Sequence, residues 1–576
     1  MFVRRFRRQR SGKEHAYWGL VESYRTERGP RQRVVAYLGK DDEAGGLGLK
    51  VALDGSSGWW QPALDGFEGP KPRWVDVDWT RIHLERCKEF GGAWLGLEVA
   101  RRLGLPELLD EVVDRGREEV PWSSMALVLV LARLLDPSSE LRLADTVYER
   151  TAMSDLLGIP ADKVNDDRLY RALDAVLPRK RAVEQRLSDR MGRLFGIEYD
   201  LLLYDITSTY FEGQADRNAQ AKRGYSRDHR SDCKQVCIGL VVSRSGMSLG
   251  YEVLDGNRQD GTTLVGMVER IEAMYGRADR IWVMDRGMVS EANLEFLRES
   301  GRRYIVGTPK SQLRRYERHL LAEDWATVHA GLHVRSIPAD HADETFILCR
   351  SAQRREKELA MSARFEERIE EGMAAIAREC ERRRLSAAAV GEKVGRLLAN
   401  NTRAARLFEY RVVTDAGGGA RLEWRKADER RDWVGLSAGC YMLRTNVTDW
   451  TSEELWRAYT QLTQAEDAFR IHKSDLKIRP IWHQRSDRVQ AHILVCFLAF
   501  VLWKALGQMA HAAGLGDEPR QILDEIKSIR MADIVAHTRE GHEIRKRCIV
   551  EPTRHQAILL SKLRLNLPSH LPATQM

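Results

Sequence analysis

The sequence predicts a mixed α/β protein, with a sheet of parallel and antiparallel strands flanked by helices. Three observations carry this. Short apolar runs at residues 201–204, 233–243, 248–254, 281–284 and 304–307 read as strands bounded by turn residues. Between them, residues 261–275 and 290–298 repeat apolar positions at helical spacing. The order strand, hairpin, helix, strand, helix, strand needs crossover connections, and those build a sheet with helices packed on it.

The chain has 576 residues, 43% of them hydrophobic and 31% charged, which suits several domains with real cores. A net charge of +8 is modest for this length. A basic surface suits nucleic acid and anionic membrane equally, so the sum does not choose a partner. The eight cysteines are scattered. Cys233 and Cys237 with His229 make a zinc site conceivable, but a second ligand pair is missing. They read as reduced core thiols of a cytosolic protein. The basic start lacks the apolar core of a secretory signal. Residues 493–506 form the most apolar run. The run is too short to span a bilayer and contains Lys504, so a buried helix is expected and no membrane association.

In chain order, residues 1–72 comprise a basic arm, a β-hairpin and a linker. The arm reads as a solvated tail or a phosphate-tracking segment. The hairpin, residues 17–40, turns at Glu27-Arg28-Gly29-Pro30, and residues 41–72 are rich in Gly, Asp and Pro. Residues 73–198 are helical. The strongly apolar stretch 123–135 is central to a small bundle, and 168–177 and 181–195 carry many arginines. Basic helices of this kind enter DNA grooves or simply solvate a bundle.

Residues 199–309 form the first part of the sheet domain. Here Leu201-Leu202-Leu203-Tyr204 ends in Asp205, and Ile281-Trp282-Val283-Met284 ends in Asp285. Each aspartate alone reads equally as a strand-end turn. Two at matching strand ends can meet, and paired carboxylates repel unless a cation lies between them. A hard divalent ion resolves the conflict, because Mg²⁺ takes carboxylate oxygens and water.

Residues 310–436 interrupt the sheet and read as an insertion module. It holds a long charged helix at 356–384, a shorter one at 390–398, and a hairpin around Gly417-Gly418-Gly419. The triplet lacks the lysine and helix start of a phosphate loop. Trp424 and Trp433 read as hairpin core or as stacking platforms for an unpaired base. Residues 437–508 resume the sheet domain, and residues 509–576 are expected to be helical. A helix capped by Thr451 or Ser452 presents Leu455, Tyr459, Leu462, Glu466, Phe469 and Lys473 on one face. A carboxylate on that apolar face needs a partner or a metal, or else the helix is rolled so that Glu466 meets solvent or Arg470.

Together, Asp205-Ile206-Thr207-Ser208, Asp285-Arg286-Gly287 and Tyr459-x2-Leu462-x3-Glu466-x6-Lys473 resemble a DDE transposase of the bacterial insertion-sequence type. The likeness is to the group whose third motif is Tyr-x2-Arg-x3-Glu-x6-Lys. Gly224-Tyr225-Ser226-Arg227-Asp228, Gly256-Asn257-x2-Asp260 and Arg479-Pro480-Ile481-x-His483 are similar to further segments of that group. The departure is Leu462, where the group has arginine.

The resemblance implies an RNase H-like core sheet, a catalytic triad of Asp205, Asp285 and Glu466 holding two Mg²⁺ or Mn²⁺ ions, and no covalent intermediate with DNA. The DNA-binding residues that follow are Tyr459, Lys473 and Arg286. The expected partners are double-stranded DNA, as element ends and target, and further copies of the chain in a homodimer or higher synaptic oligomer. The expected location is the bacterial cytoplasm, at the nucleoid when DNA-bound. A nuclease or resolvase of the same architecture would cleave without joining ends. A non-catalytic DNA-binding derivative would have lost one of the acids. A two-carboxylate glycosidase would ignore chelators.

Overall fold

The computed structural model describes residues 2–10, 13–26, 29–40, 75–339, 341, 343–414 and 418–571. The chain divides into two compact units, residues 1–83 with 535–544, and residues 84–534 with 545–576. In the first unit, β1 (Phe2–Arg10), β2 (Lys13–Thr26) and β3 (Gly29–Lys40) form an antiparallel sheet in that order. The hairpin is as expected. The arginine-rich arm is itself a strand, because its backbone pairs with β2 from Phe2↔Val21 to Arg10↔Lys13. The expected linker at 41–72 lies outside the described residues.

Strand β4 (His83–Glu89) leads into the second unit, which continues with a helical region. Its main helices are Gly91–Arg102, Leu105–Val112, Trp122–Leu135, Asp166–Val176 and Lys180–Phe195. Arginines in and just before the last helix are tied to the neighbouring helical segments. Arg179 and Arg186 pair with Asp114 and Glu111, and Arg190 donates to the Leu103 carbonyl at 2.8 Å. Helix Trp122–Leu135 packs against helix Ser486–Ala512, which is buried along almost its whole length. A helix apolar on every side belongs in a core. At 27 residues it is longer than the sequence suggests and is long and apolar enough to cross a membrane, but 83% of its most apolar window is buried in the protein.

The sheet follows. Its strands in chain order are β5 (Leu201–Tyr210), β6 (Gln235–Ser243), β7 (Ser248–Asp255), β8 (Ile281–Met284), β9 (Arg303–Gly307), β10 (Ala326–His329), β11 (Leu332–Pro338), β12 (Thr345–Ser351) and, after the excursion, β15 (Cys440–Thr445). They lie in the order β10-β11-β12-β15-β9-β8-β5-β6-β7. Strands β5, β8 and β9 are parallel neighbours, and the rest pair antiparallel. Strands β10 to β12 extend the sheet from within the stretch expected to interrupt it. Their signal is weak because charged residues break the pattern, as in Leu-His-Val-Arg-Ser-Ile.

The excursion from the sheet is narrower than expected. Helices Ala352–Arg382 and Ala387–Asn400 pack on the hairpin of β13 (Phe408–Thr414) and β14 (Ala420–Lys426). Ile369, Met373, Val390, Val394, Phe408 and Leu422 form their shared core. Trp424 packs on Phe408 in that core, and Trp433 lies beneath Arg314.

Residues after the central helix are mixed, not helical as expected. They include helices Pro519–Lys527 and Arg554–Lys562 and strands β16 (Arg530–His537) and β17 (Glu543–Ile549). All eight cysteines are free thiols, and four are buried. Cys233 lies beside Arg230 and Asp232, while Cys237 turns towards the Gly256 carbonyl, so the two do not share a metal site.

Alternation along the strands fixes which side chains meet. Leu202, Tyr204, Trp282, Met284 and Tyr304 face helices Leu264–Tyr275 and Glu291–Glu299. Leu201, Leu203, Ile281, Val283 and Ile305 join the other core, with Leu455, Leu462, Phe469 and the central helix.

Candidate active site

Successive strand residues point to opposite faces. Asp205 therefore shares the face of Leu201 and Leu203, and Asp285, next after Met284, shares the face of Ile281 and Val283. Strands β5 and β8 run parallel with Tyr204 opposite Met284, so the two aspartates follow side by side. Strand β8 stops there, and Asp285 caps a short turn, Arg286–Met288. Strand β5 does not stop. The sequence places Asp205 at a strand end, but β5 continues to Tyr210 because β6 pairs with it as far as Tyr210↔Gln235. Asp205 is thus mid-strand and loses only its β8 neighbour.

Glu466 comes to the same face on a helix. The sequence suggests one continuous helix, whereas the structure has two, Ser452–Thr460 and Thr463–Ser474. At the break, the Thr460 hydroxyl donates to the Arg457 carbonyl and the Thr463 hydroxyl to the Thr460 carbonyl. Such back-bonding competes with helix hydrogen bonds and bends the chain. Thr451 and Glu454 form a full capping box on the first helix, fixing its start. Leu455, Leu462 and Phe469 enter the core, and Glu466 sits exposed in the first turn of the second helix.

The three acids feel one another's charge. Burial pushes the Asp205 carboxyl up to about 7, and the charges of Asp285 and Glu466 push the same way. The Ile206 amide, donating to Asp205 Oδ1 at 2.8 Å, and the field of Arg227 oppose this. Glu466 is raised by partial burial and by the charges of Asp285 and Asp467. Arg227 is itself clamped on Asp260, with both contacts at 2.6 Å. Asp205 and Glu466, both raised beside the charge of Asp285, form with it a hard oxygen donor set of the kind that a divalent cation such as Mg²⁺ or Mn²⁺ takes.

The other predicted residues fall into two places. The Tyr459 hydroxyl donates to Asp285 Oδ1 at 3.5 Å and overhangs Gly307, where a Cβ would lie 2.4 Å from it. Arg286 is exposed beside Asp285. It lines a cleft with Thr308, Lys310, Arg354 and Tyr441. Lys310 and Arg354 are both held by Glu358, at 2.6 and 3.0 Å. Sequence reasoning missed these two cations; Lys310 arrives through the pairing of β9 with β8, and Arg354 through β12 and β15.

Lys473 is engaged by an acid outside the triad. It donates to Asp228 Oδ1 at 2.8 Å, and Arg479 grips the same oxygen. Gly224 and Gly256 pack backbone against backbone nearby, where a Cβ on Gly224 would lie 2.3 Å from the Gly256 carbonyl oxygen. The segments around 224–228, 256–260 and 479–483 thus form one frame through Arg227–Asp260 and Asp228–Arg479.

Two family models match stretches of the chain. Residues 197–502, just over half of the chain, match the transposase DDE domain, and residues 3–49 match the N-terminal domain of IS1634 family transposases. No curated protein matches the chain. The chain belongs to the DDE transposases of insertion sequences, metal-dependent enzymes that bind DNA and cut and rejoin it.

Proposed function

We propose that Asp205, Asp285 and Glu466 are the metal-binding triad of this transposase, on a sheet of the RNase H-like kind, and that they hold two Mg²⁺ or Mn²⁺ ions. The observation that carries this is the shared field: Asp205 is raised by both other acids at once. When bound, the ions supply Lewis-acid activation of the attacking oxygen and charge stabilisation at the leaving oxygen.

The chain's own groups do the rest. The Tyr459 hydroxyl orients Asp285 through Oδ1. Arg286, Lys310 and Arg354 line the adjoining cleft with positive charge, which suits the phosphate being attacked. Lys473 places a further cation two helical turns beyond Glu466, roughly 10 Å along the axis, for the DNA backbone. In the first step a water oxygen bonds to phosphorus and the bond to the 3′ oxygen breaks. This leaves a 3′-hydroxyl and a 5′-phosphate. In the second step that hydroxyl attacks a target phosphodiester, losing its proton, and the target's own 3′ oxygen departs. We place this in a homodimer or larger assembly on paired element ends, in the bacterial cytoplasm.

The test is strand cleavage and joining on paired element ends with Mg²⁺ or Mn²⁺. Asp285→Asn and Glu466→Gln should each lower cleavage by a factor on the order of 10³ or more while DNA binding persists. Full cleavage by Asp285→Asn overturns the assignment. Cleavage without joining by the unaltered protein identifies a nuclease instead.

A further inference from the structure

The loop between the glutamate helix and the central helix holds an indole out in solvent. Trp482 is 67% exposed, although tryptophan is among the more buried residues on average. Its neighbours are tied down on both sides. The Ile481 amide donates to the Tyr210 carbonyl at 2.9 Å, and the Glu212 amide donates to the Ile481 carbonyl at 3.0 Å. His483 Nε2 lies 3.3 Å from Glu140 Oε1, and the Gln484 side chain accepts from the Ala215 amide at 2.7 Å. An aromatic group presented by a fixed backbone forfeits little entropy on binding.

Beside this loop opens a cleft walled by Arg133, Arg142, Lys477 and Arg479. Its one carboxylate, Glu140, is answered by His483. Glu140, His483 and His492 bring ligand atoms within 4.8 Å of one another, close enough to suggest a cation site. The Arg133 guanidinium, 3.5 Å from His492 Nδ1, opposes a divalent ion there, and His492 Nε2 faces the Ile478 carbonyl at 3.3 Å. The wall is positive on balance and suits an anion. The Ser138 hydroxyl, buried in that wall and without a hydrogen-bond partner, adds a donor.

The cleft is linked to the catalytic helix. Arg479 shares Asp228 with Lys473, seven residues beyond Glu466. Ile481 bridges Phe211, six residues beyond Asp205 along the direction of β5. At strand rise that is roughly 20 Å from the acids, or about six base-pair steps of 3.4 Å.

We propose that this cleft is a second DNA contact, apart from the acidic triad. It holds one phosphodiester of the element-end duplex between Lys477 and Arg142, with the Trp482 indole packed on the adjoining deoxyribose. The inference rests on the transposase reading only in taking DNA as the ligand.

The test uses the full-length protein and synthetic duplexes carrying the terminal inverted repeat of its own element. One phosphate at a time is replaced by a neutral methylphosphonate, stepping outward from the cut. Affinity should drop about five- to tenfold at one or two positions roughly six steps from the cut, the equivalent of one charge-assisted contact. Lys477→Ala should weaken binding to the unmodified duplex, lower the salt slope by about one, and be indifferent to the methylphosphonate at those positions. Trp482→Ala should weaken binding more than Trp482→Phe. A flat pattern in the unaltered protein, or an unchanged pattern in Lys477→Ala, overturns the proposal, as does full affinity in Trp482→Ala. If the triad were wrong instead, cleavage would survive Asp285→Asn while the interference pattern stayed.

Discussion

Replacing Asp205 by asparagine should stabilise the metal-free protein, and the gain should grow with pH. The carboxyl is raised from its ordinary 3.8 to about 7, first by burial and then by the charges of Asp285 and Glu466. Between those values the folded state binds the proton that the unfolded state has released. Stability therefore falls as pH rises through this window, and the full cost persists above about pH 7. At 1.36 kcal/mol per pH unit that cost is up to about 4 kcal/mol. Asparagine keeps the shape and carries no charge. Asp205→Asn should thus gain up to about 4 kcal/mol at pH 8 and less than half of that at pH 5. Urea unfolding midpoints at the two pH values measure it. Millimolar Mn²⁺ should raise the midpoint of the unaltered protein at pH 8 by binding the folded state, and should raise that of Asp205→Asn much less. Equal pH dependence in the two proteins, or an equal response to Mn²⁺, refutes the reasoning.

Other substitutions probe the frame. Gly307→Ala puts a methyl group 2.4 Å from the present position of the Tyr459 hydroxyl and must push that side chain off Asp285. Its single-turnover cleavage rate should fall about five- to tenfold, as in Tyr459→Phe, the worth of one hydrogen bond. Glu344 is 3% exposed and accepts from Arg298 and Arg444 at 2.8 and 2.7 Å, with the Tyr304 hydroxyl on it as well. Glu344→Ala leaves the buried Arg444 with Glu291 alone and the half-buried Arg298 without its main partner, and should cost about 3 kcal/mol in chemical denaturation, without changing cleavage well below the melting temperature. Leu462 is 7% exposed in the main core. Leu462→Arg should lower the melting temperature and bring no gain in cleavage, because the guanidinium meets apolar neighbours.

What the sequence reveals depends on how local the signal is. Strands β5 and β8 are legible because uninterrupted apolar runs belong to sheet interiors. Glu466 is legible because its spacing from Leu455, Leu462 and Phe469 puts it over the apolar face even across the helix break. The break itself is not, since Thr460 and Thr463 bond back to carbonyls and no proline or glycine marks it. Strands β10 to β12 are masked by interleaved charges. Arg354 cannot be read as a neighbour of Asp285, because β15 must first return to pair with β12 and β9, and Lys310 becomes one only once β9 pairs with β8. The same holds for Glu140, His483 and His492, which converge from distant parts of the chain. Lys473 lies on the expected face, but its partner Asp228, an acid outside the triad, is 245 residues away in sequence.

The central claim is that Asp205, Asp285 and Glu466 grip the same ions. Anomalous diffraction from crystals grown with Mn²⁺ tests it most directly. The account predicts two peaks about 3.5–4 Å apart, with all three carboxylates among their ligands. Peaks ligated elsewhere, or ions bound with Glu466 turned away, would contradict it.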